Sequence, residues 1–193
     1  MKILFPLFAG IIICSACNNS NDKTKNNAVN TDTVHQKFFP VTSFIKGEIY
    51  EIKKSGINPL QYTTVKKHTD SVWLKIEELD ASVSEFLTPL IDTTNLTKLF
   101  TEKSFLDQSI NAITLTYEPL ANLPDSMQLR RWDVYIDPET QKIKRIYMVK
   151  EISNTKMLQL TWVSKQWCKI TSIVTDENGI SSVEKEVKLN WDF

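Results

Sequence analysis

The stretch LRRWDVYIDPETQKIKRIYMVKE, residues 129–151, decides the fold. Over Leu129–Asp137, Trp132, Val134 and Ile136 alternate with Arg131, Asp133 and Tyr135, the period of a strand with one face on a core. Asp137-Pro138-Glu139-Thr140 is a turn with proline at its favoured second position. Lys142–Glu151 then returns, with Ile146 and Met148 on one side and Tyr147 and Val149 on the other. The pattern predicts an antiparallel hairpin, and it continues in both directions. Downstream, Lys156–Ser164 and Gln166–Thr175 form a second hairpin around Ser164-Lys165. Asp176-Glu177-Asn178-Gly179 turns the chain again, and Val183–Phe193 is a last strand. Upstream, Ser104–Gln108 and Ala112–Glu118 are strands, followed by a loop over Pro119–Asp125.

Before Leu99 the period is helical. Phe44, Ile45, Ile49 and Ile52 share one face of a helix over Ser43–Lys54, with Ser43 or Thr42 as cap and Gly56 just past its end. Asn58-Pro59 breaks the chain, and Leu60–Lys67 is a short extended segment. A second helix is expected from Lys75, with Ile76, Leu79, Val83, Phe86 and Leu87 on one face and Pro89 ending it. Helices first and strands afterwards indicate an α+β fold: two N-terminal helices packed on a curved antiparallel β-meander of about five to seven strands, within a single domain spanning 38–193. In architecture alone, with no shared motif, this resembles envelope carriers of the lipoprotein-carrier type.

Further out, Lys2 gives a positive start, Ile3–Ile13 an apolar run, and Ser15-Ala16 the small residues before Cys17. This is the pattern of a signal peptide over 1–16. Cys14-Ser15-Ala16-Cys17 resembles the lipobox of bacterial lipoproteins, although Cys14 stands where an aliphatic residue is usual. The resemblance implies a diacylglycerol, and usually a third acyl chain such as palmitate, on Cys17. Each buried methylene contributes about 0.8 kcal/mol, so two or three chains give durable anchoring. The alternatives are an ordinary secretory signal and an uncleaved membrane anchor. Residues 17–37, rich in Asn, Asp, Thr and Lys, form a flexible tether whose end-to-end distance is roughly 25 Å. The expected location is the cell envelope, lipid-anchored, in the outer membrane of a Gram-negative bacterium.

Lys plus Arg and Asp plus Glu both number 23 in the 193 residues, so no global field attracts nucleic acid. Of three cysteines, Cys14 leaves with the signal and Cys17 carries lipid. Cys168 is then alone, and its parity with Ile170 and Val174 predicts a buried, inert thiol.

Candidate chemistry is sparse. His68, Asp70 and Ser71 bring three triad residue types together, but triad partners normally come from separate elements, so a turn is expected. The other histidine, His35, lies in the tether, so no His-rich metal site is predicted. Asp176–Gly179 resembles the start of a calcium loop without its later ligands. Asp133, Tyr135 and Asp137 share a strand face expected to be solvated; were the protein an envelope hydrolase, Asp133 or Asp137 would be the first suspects. With four glycines in the chain there is no phosphate loop, and no cofactor is expected. Val187, Leu189, Trp191 and Phe193 resemble the terminal strand of outer-membrane barrels, yet a core-facing final strand fits a chain with two helices better. Asp32-Thr33-Val34, Asp70-Ser71-Val72, Asp92-Thr93-Thr94 and Asp125-Ser126-Met127 resemble the O-glycan acceptor motif of Bacteroidetes envelope proteins, which marks Thr33, Ser71, Thr93 and Ser126. Asp-Ser and Asp-Thr also favour turns and caps.

The expected function is therefore a membrane-anchored, non-enzymatic binding module for a partner protein or an apolar ligand. The alternatives are a carboxylate hydrolase and a structural subunit of an envelope machine. An open pocket on the helix-bearing side of the sheet would separate these classes.

Overall fold

The computed structural model describes residues 37–121 and 123–192. The signal stretch, Cys14, Cys17, Thr33, His35 and Phe193 lie outside them. Helix α1 spans Val41–Ser55 and buries Val41, Ile45, Ile49 and Ile52. Its end follows the sequence pattern: Gly56 sits at φ 70°, the left-handed conformation that glycine adopts without a Cβ penalty, and its N–H donates to the Lys53 carbonyl. Its start does not. The helix begins at Val41, so Thr42 and Ser43, expected as caps, both lie inside it; the N-cap is Pro40, with no side-chain cap, and the Thr42 hydroxyl is engaged elsewhere. It accepts the Ile91 N–H at 2.8 Å, while the Thr42 N–H donates to the Ile91 carbonyl at 3.2 Å.

Two strands follow, β1 (Leu60–Val65) and β2 (His68–Trp73). The turn expected at His68–Ser71 is thus a strand. The chain reverses two residues earlier, at Lys66-Lys67, where Lys66 takes φ 57°. The second helix is also shorter than its apolar pattern suggests. Ile76–Glu78 and Ser84–Leu87 are 3-10 turns around a single α-turn, α2 (Leu79–Ser82). The hydroxyls of Ser82 and Ser84 bond back to the carbonyls of Glu78 and Ala81, a local competition with regular helix. The expected face survives: Leu79, Val83 and Phe86 are all fully buried.

Seven further strands run in sequence order: β3 (Phe100–Asp107), β4 (Ala112–Pro119), β5 (Leu129–Ile136), β6 (Ile143–Ser153), β7 (Lys156–Val163), β8 (Trp167–Thr175) and β9 (Ser181–Asn190). With the first hairpin they form one antiparallel sheet of nine strands, ordered β2-β1-β9-β8-β7-β6-β5-β4-β3. The meander reading holds, and the count exceeds five to seven because the β1–β2 hairpin joins the sheet beside β9. The last strand is therefore interior, with Leu189 and Trp191 buried, as a core-facing strand requires.

The sheet has two unlike faces. The inner face carries Tyr117, Trp132, Val134, Ile146, Met148, Leu160, Trp162 and Leu189, packed against α1 and the segment 76–96. Its aromatic centre is Tyr117 stacked on Trp132 at 4.5 Å, with Phe100 and Phe38 edge-on to the same indole. Phe86, from the 3-10 turn, meets Trp162 at 5.3 Å. Burial pushes the Tyr117 hydroxyl up, and it accepts the Phe39 N–H at 3.1 Å. Cys168 is buried on this face and burial raises its thiol, which makes it unreactive as expected.

Candidate functional site

On the inner face, Ile146, Met148 and Lys150 have the same parity along β6, which carries a lysine into the core at 1% exposure. An ammonium there must be fully partnered. Its Nζ donates to the Glu85 carbonyl at 2.5 Å, to Glu85 Oε2 at 2.7 Å and to Thr88 Oγ1 at 3.2 Å. All three donors are used, and all three acceptors come from the segment that ends the interrupted second helix. The pair therefore fastens that segment to the sheet.

Beside this anchor the covered part of the inner face stops. Ile152 of β6, Leu158 of β7, Ile170 of β8 and Val187 of β9 floor an open cleft of about 330 Å³, with Glu85, Lys156 and Lys185 on its rim. Lys156 pairs with Glu184 at 2.9 Å. Lys185 has no carboxylate partner among the described residues. A mostly apolar floor that includes Ser172, with one uncompensated cation, Lys185, on its rim, suits a ligand with an apolar body and a polar end. A larger crevice of about 680 Å³ lies where Phe44 and Glu48 of α1 meet Lys142, Lys144 and Lys165. Its acid, Glu48, is committed to structure, accepting the Ser164 hydroxyl and the Lys165 N–H. The smaller cleft is the better ligand site because its floor is laid by adjacent sheet strands, whereas the larger crevice is bridged by the Glu48 bonds to Ser164 and Lys165.

The carboxylates singled out in the sequence part company. Asp133, expected on a solvated face, is 1% exposed: Arg131 folds over it, its Nε donating to Oδ1 and Oδ2 at 3.2 Å each. The Tyr147 hydroxyl, on the neighbouring strand, is raised first by burial and then by this carboxylate. Asp137 instead sits in the exposed turn, where Oδ1 accepts the N–H groups of Glu139 and Thr140. The Thr140 bond does most to hold its carboxyl below the ordinary range. The two acids thus serve different partners and do not form an acid–base pair.

His68 Nε2 lies 3.1 Å from Asp70 Oδ1 on exposed β2, and Ser71 points to the other face of the strand. No triad is assembled. Asp176 is the expected hairpin residue, its Oδ1 accepting from the N–H groups of Asn178 and Ile180. Among the described residues, no group of three or more His, Cys, Asp or Glu is placed to hold a metal ion. Of the glycan acceptor candidates, Ser71, Thr93 and Ser126 are exposed.

The Lys150–Glu85 pair and the cleft were not read from the sequence. Only the parity of Lys150 with Ile146 and Met148 signalled the first. Comparison with protein-family models, with curated proteins and with solved structures gave no match.

Proposed function

We propose that this chain is a lipid-anchored envelope protein whose sheet domain acts as a binding module, without catalysis of its own. The observation that carries the reading is the open, apolar-floored cleft on the inner face between Leu158, Ile170 and Val187. Its dimensions suit an acyl chain or an apolar side chain of a partner, and Lys185 and Lys156 at the rim suit a polar end. The Cys14-Ser15-Ala16-Cys17 pattern supports placement in the outer membrane, with the polar stretch to residue 37 as tether.

The test uses the protein isolated from its host membrane. Its intact mass should carry acyl chains on Cys17, and sugar on Thr33, Ser71, Thr93 or Ser126 would add further mass. Native mass spectrometry should show a retained amphiphile or, after crosslinking through cleft residues, a partner. Val187→Trp, which fills the cleft, should abolish either signal while leaving the acyl mass in place. Finding neither ligand nor partner in the parent protein would dismiss the cleft reading, and an unacylated Cys17 would dismiss the anchor.

A further inference from the structure

The outer face of the sheet carries more than a solvated surface needs. Strand partners opposite one another point to the same side, so the register places Phe105, Thr114, Tyr135, Arg145, Val163, Trp167 and Asn190 on one line across the sheet. Tyr147 stands outward on the next line, beside Asp133. None of these rings belongs to the inner aromatic cluster. Phe105 is 50% exposed, and Tyr135, Tyr147 and Trp167 are half-buried.

Cations hold two of the rings in place. Arg145 lies 3.9 Å over Tyr135, and Lys188 lies 4.7 Å over Trp167. Each cation covers one face of its ring, so stacking on Tyr135 or Trp167 uses the opposite face, with the N–H donors close by. Other charges of this face neutralise one another in cross-strand or same-strand pairs, among them Lys103 with Glu118, Arg131 with Asp133, and Lys169 with Glu186.

We propose that this outer face is a platform for a linear, uncharged polysaccharide. A sugar ring has an apolar C–H face that stacks on an aromatic ring, and a rim of hydroxyls that bonds to planar donors and acceptors. Phe105, Tyr135 and Trp167 supply the rings, and Arg145 between them and Asn190 beyond Trp167 supply the polar groups. Tyr135 on β5 and Trp167 on β8 are three strand spacings apart, about 14 Å, the span of a short oligosaccharide. Among the described residues Arg145 and Lys188 are the cations of this face without a carboxylate, and each is set over a ring, so a polyanion would meet two separate charges and no continuous basic track. Rings separated by Thr114 on one side and by Arg145 and Val163 on the other also differ from the continuous apolar centre of a protein interface. The platform is independent of both the cleft and the anchor.

Affinity electrophoresis of the full chain in non-ionic detergent tests it, in gels containing galactomannan, hydroxyethylcellulose or alginate. Migration should be retarded in at least one of the two uncharged polymers. Tyr135→Ala and Phe105→Ala should each weaken the apparent affinity roughly two- to tenfold. Phe105, half-exposed on an edge strand, is the variant least able to act through misfolding. Free migration of the parent chain in both uncharged gels would overturn the proposal. So would retardation by alginate alone, or full retention of affinity in both variants.

Discussion

At the scale of single residues, the instructive group is Lys150. Burying an ammonium costs several kcal/mol unless partners repay it, and removing one partner is worse than removing the charge itself. Glu85 is 43% exposed in its side chain whereas Lys150 is 1% exposed, so the two ends of the pair are not equivalent. Freed of its partner, the glutamate can reach water and the lysine cannot. Glu85→Gln should therefore destabilise the fold by about 3 kcal/mol, while Lys150→Met should cost about half as much or less. Urea denaturation decides it, and an equal or reversed order would refute this account. The asymmetry was only half legible in the sequence. The alternation that places Ile146 and Met148 inside also places Lys150 inside, but nothing local to β6 points to a glutamate some sixty-five residues upstream. Asp133 is the converse case: parity assigned it correctly to the outer face, and its burial under Arg131 depends on side-chain placement that period-two patterns do not encode.

At the scale of elements, α1 offers a paired test at two glycines. Gly47 is exposed in mid-helix and Gly56 ends the helix at φ 70°; an added Cβ meets nothing within 4 Å at either site. Space is equal, so backbone conformation alone sets the sign. Gly47→Ala should stabilise by about 0.5–1 kcal/mol through helix propensity, and Gly56→Ala should destabilise by about 1 kcal/mol through left-handed strain. Thermal unfolding of both variants checks this; a shift of the same sign in both would count against it. The same helix shows why boundaries were less legible than faces. Its buried stripe follows from spacing, but Thr42 and Ser43, expected as caps, lie inside it, and the Thr42 hydroxyl is claimed by Ile91 on a distant segment. The interrupted second helix repeats the lesson. The spacing marks Leu79, Val83 and Phe86 as core, while the helix between them is interrupted where the Ser82 and Ser84 hydroxyls bond back to the backbone. The strands of the meander were the most legible elements, because an antiparallel sheet with one wet face writes its alternation directly into the chain. Of the β1–β2 hairpin, β1 lies within the extended segment expected over Leu60–Lys67, but β2 was not legible, since all its residues are exposed and no half-buried face marks it.

At the scale of the whole molecule, ionisation should give a stability plateau with two flanks. Asp92, Asp107 and Asp137 are lowered chiefly by hydrogen bonds within their turns, and Glu118 and Glu186 by Lys103 and Lys169. A carboxylate depressed in the folded state stabilises above its unfolded value, near pH 4, and that contribution is lost as pH falls through the folded value. Cys168, Tyr117 and Tyr147 are raised first by burial. Their neutral forms favour the fold until pH climbs past their unfolded values, roughly 8.5 for the thiol and 10 for the phenols. Urea midpoints should stay level between about pH 5 and 8 and decline on both sides; stability that rises on acidification below about pH 4 would contradict the assignment. The order of the sheet has a kinetic corollary. Leu60 pairs with Asn190, a separation on the order of 130 residues, so β1 docks through the most non-local pairing of the sheet, the kind that forms slowly. The neighbour-by-neighbour meander from β3 to β9 involves short closures and can assemble without it. Refolding should then be biphasic, with a fast meander and a late-arriving hairpin. Until that second event, β9 is a bare edge, open to pairing with another chain.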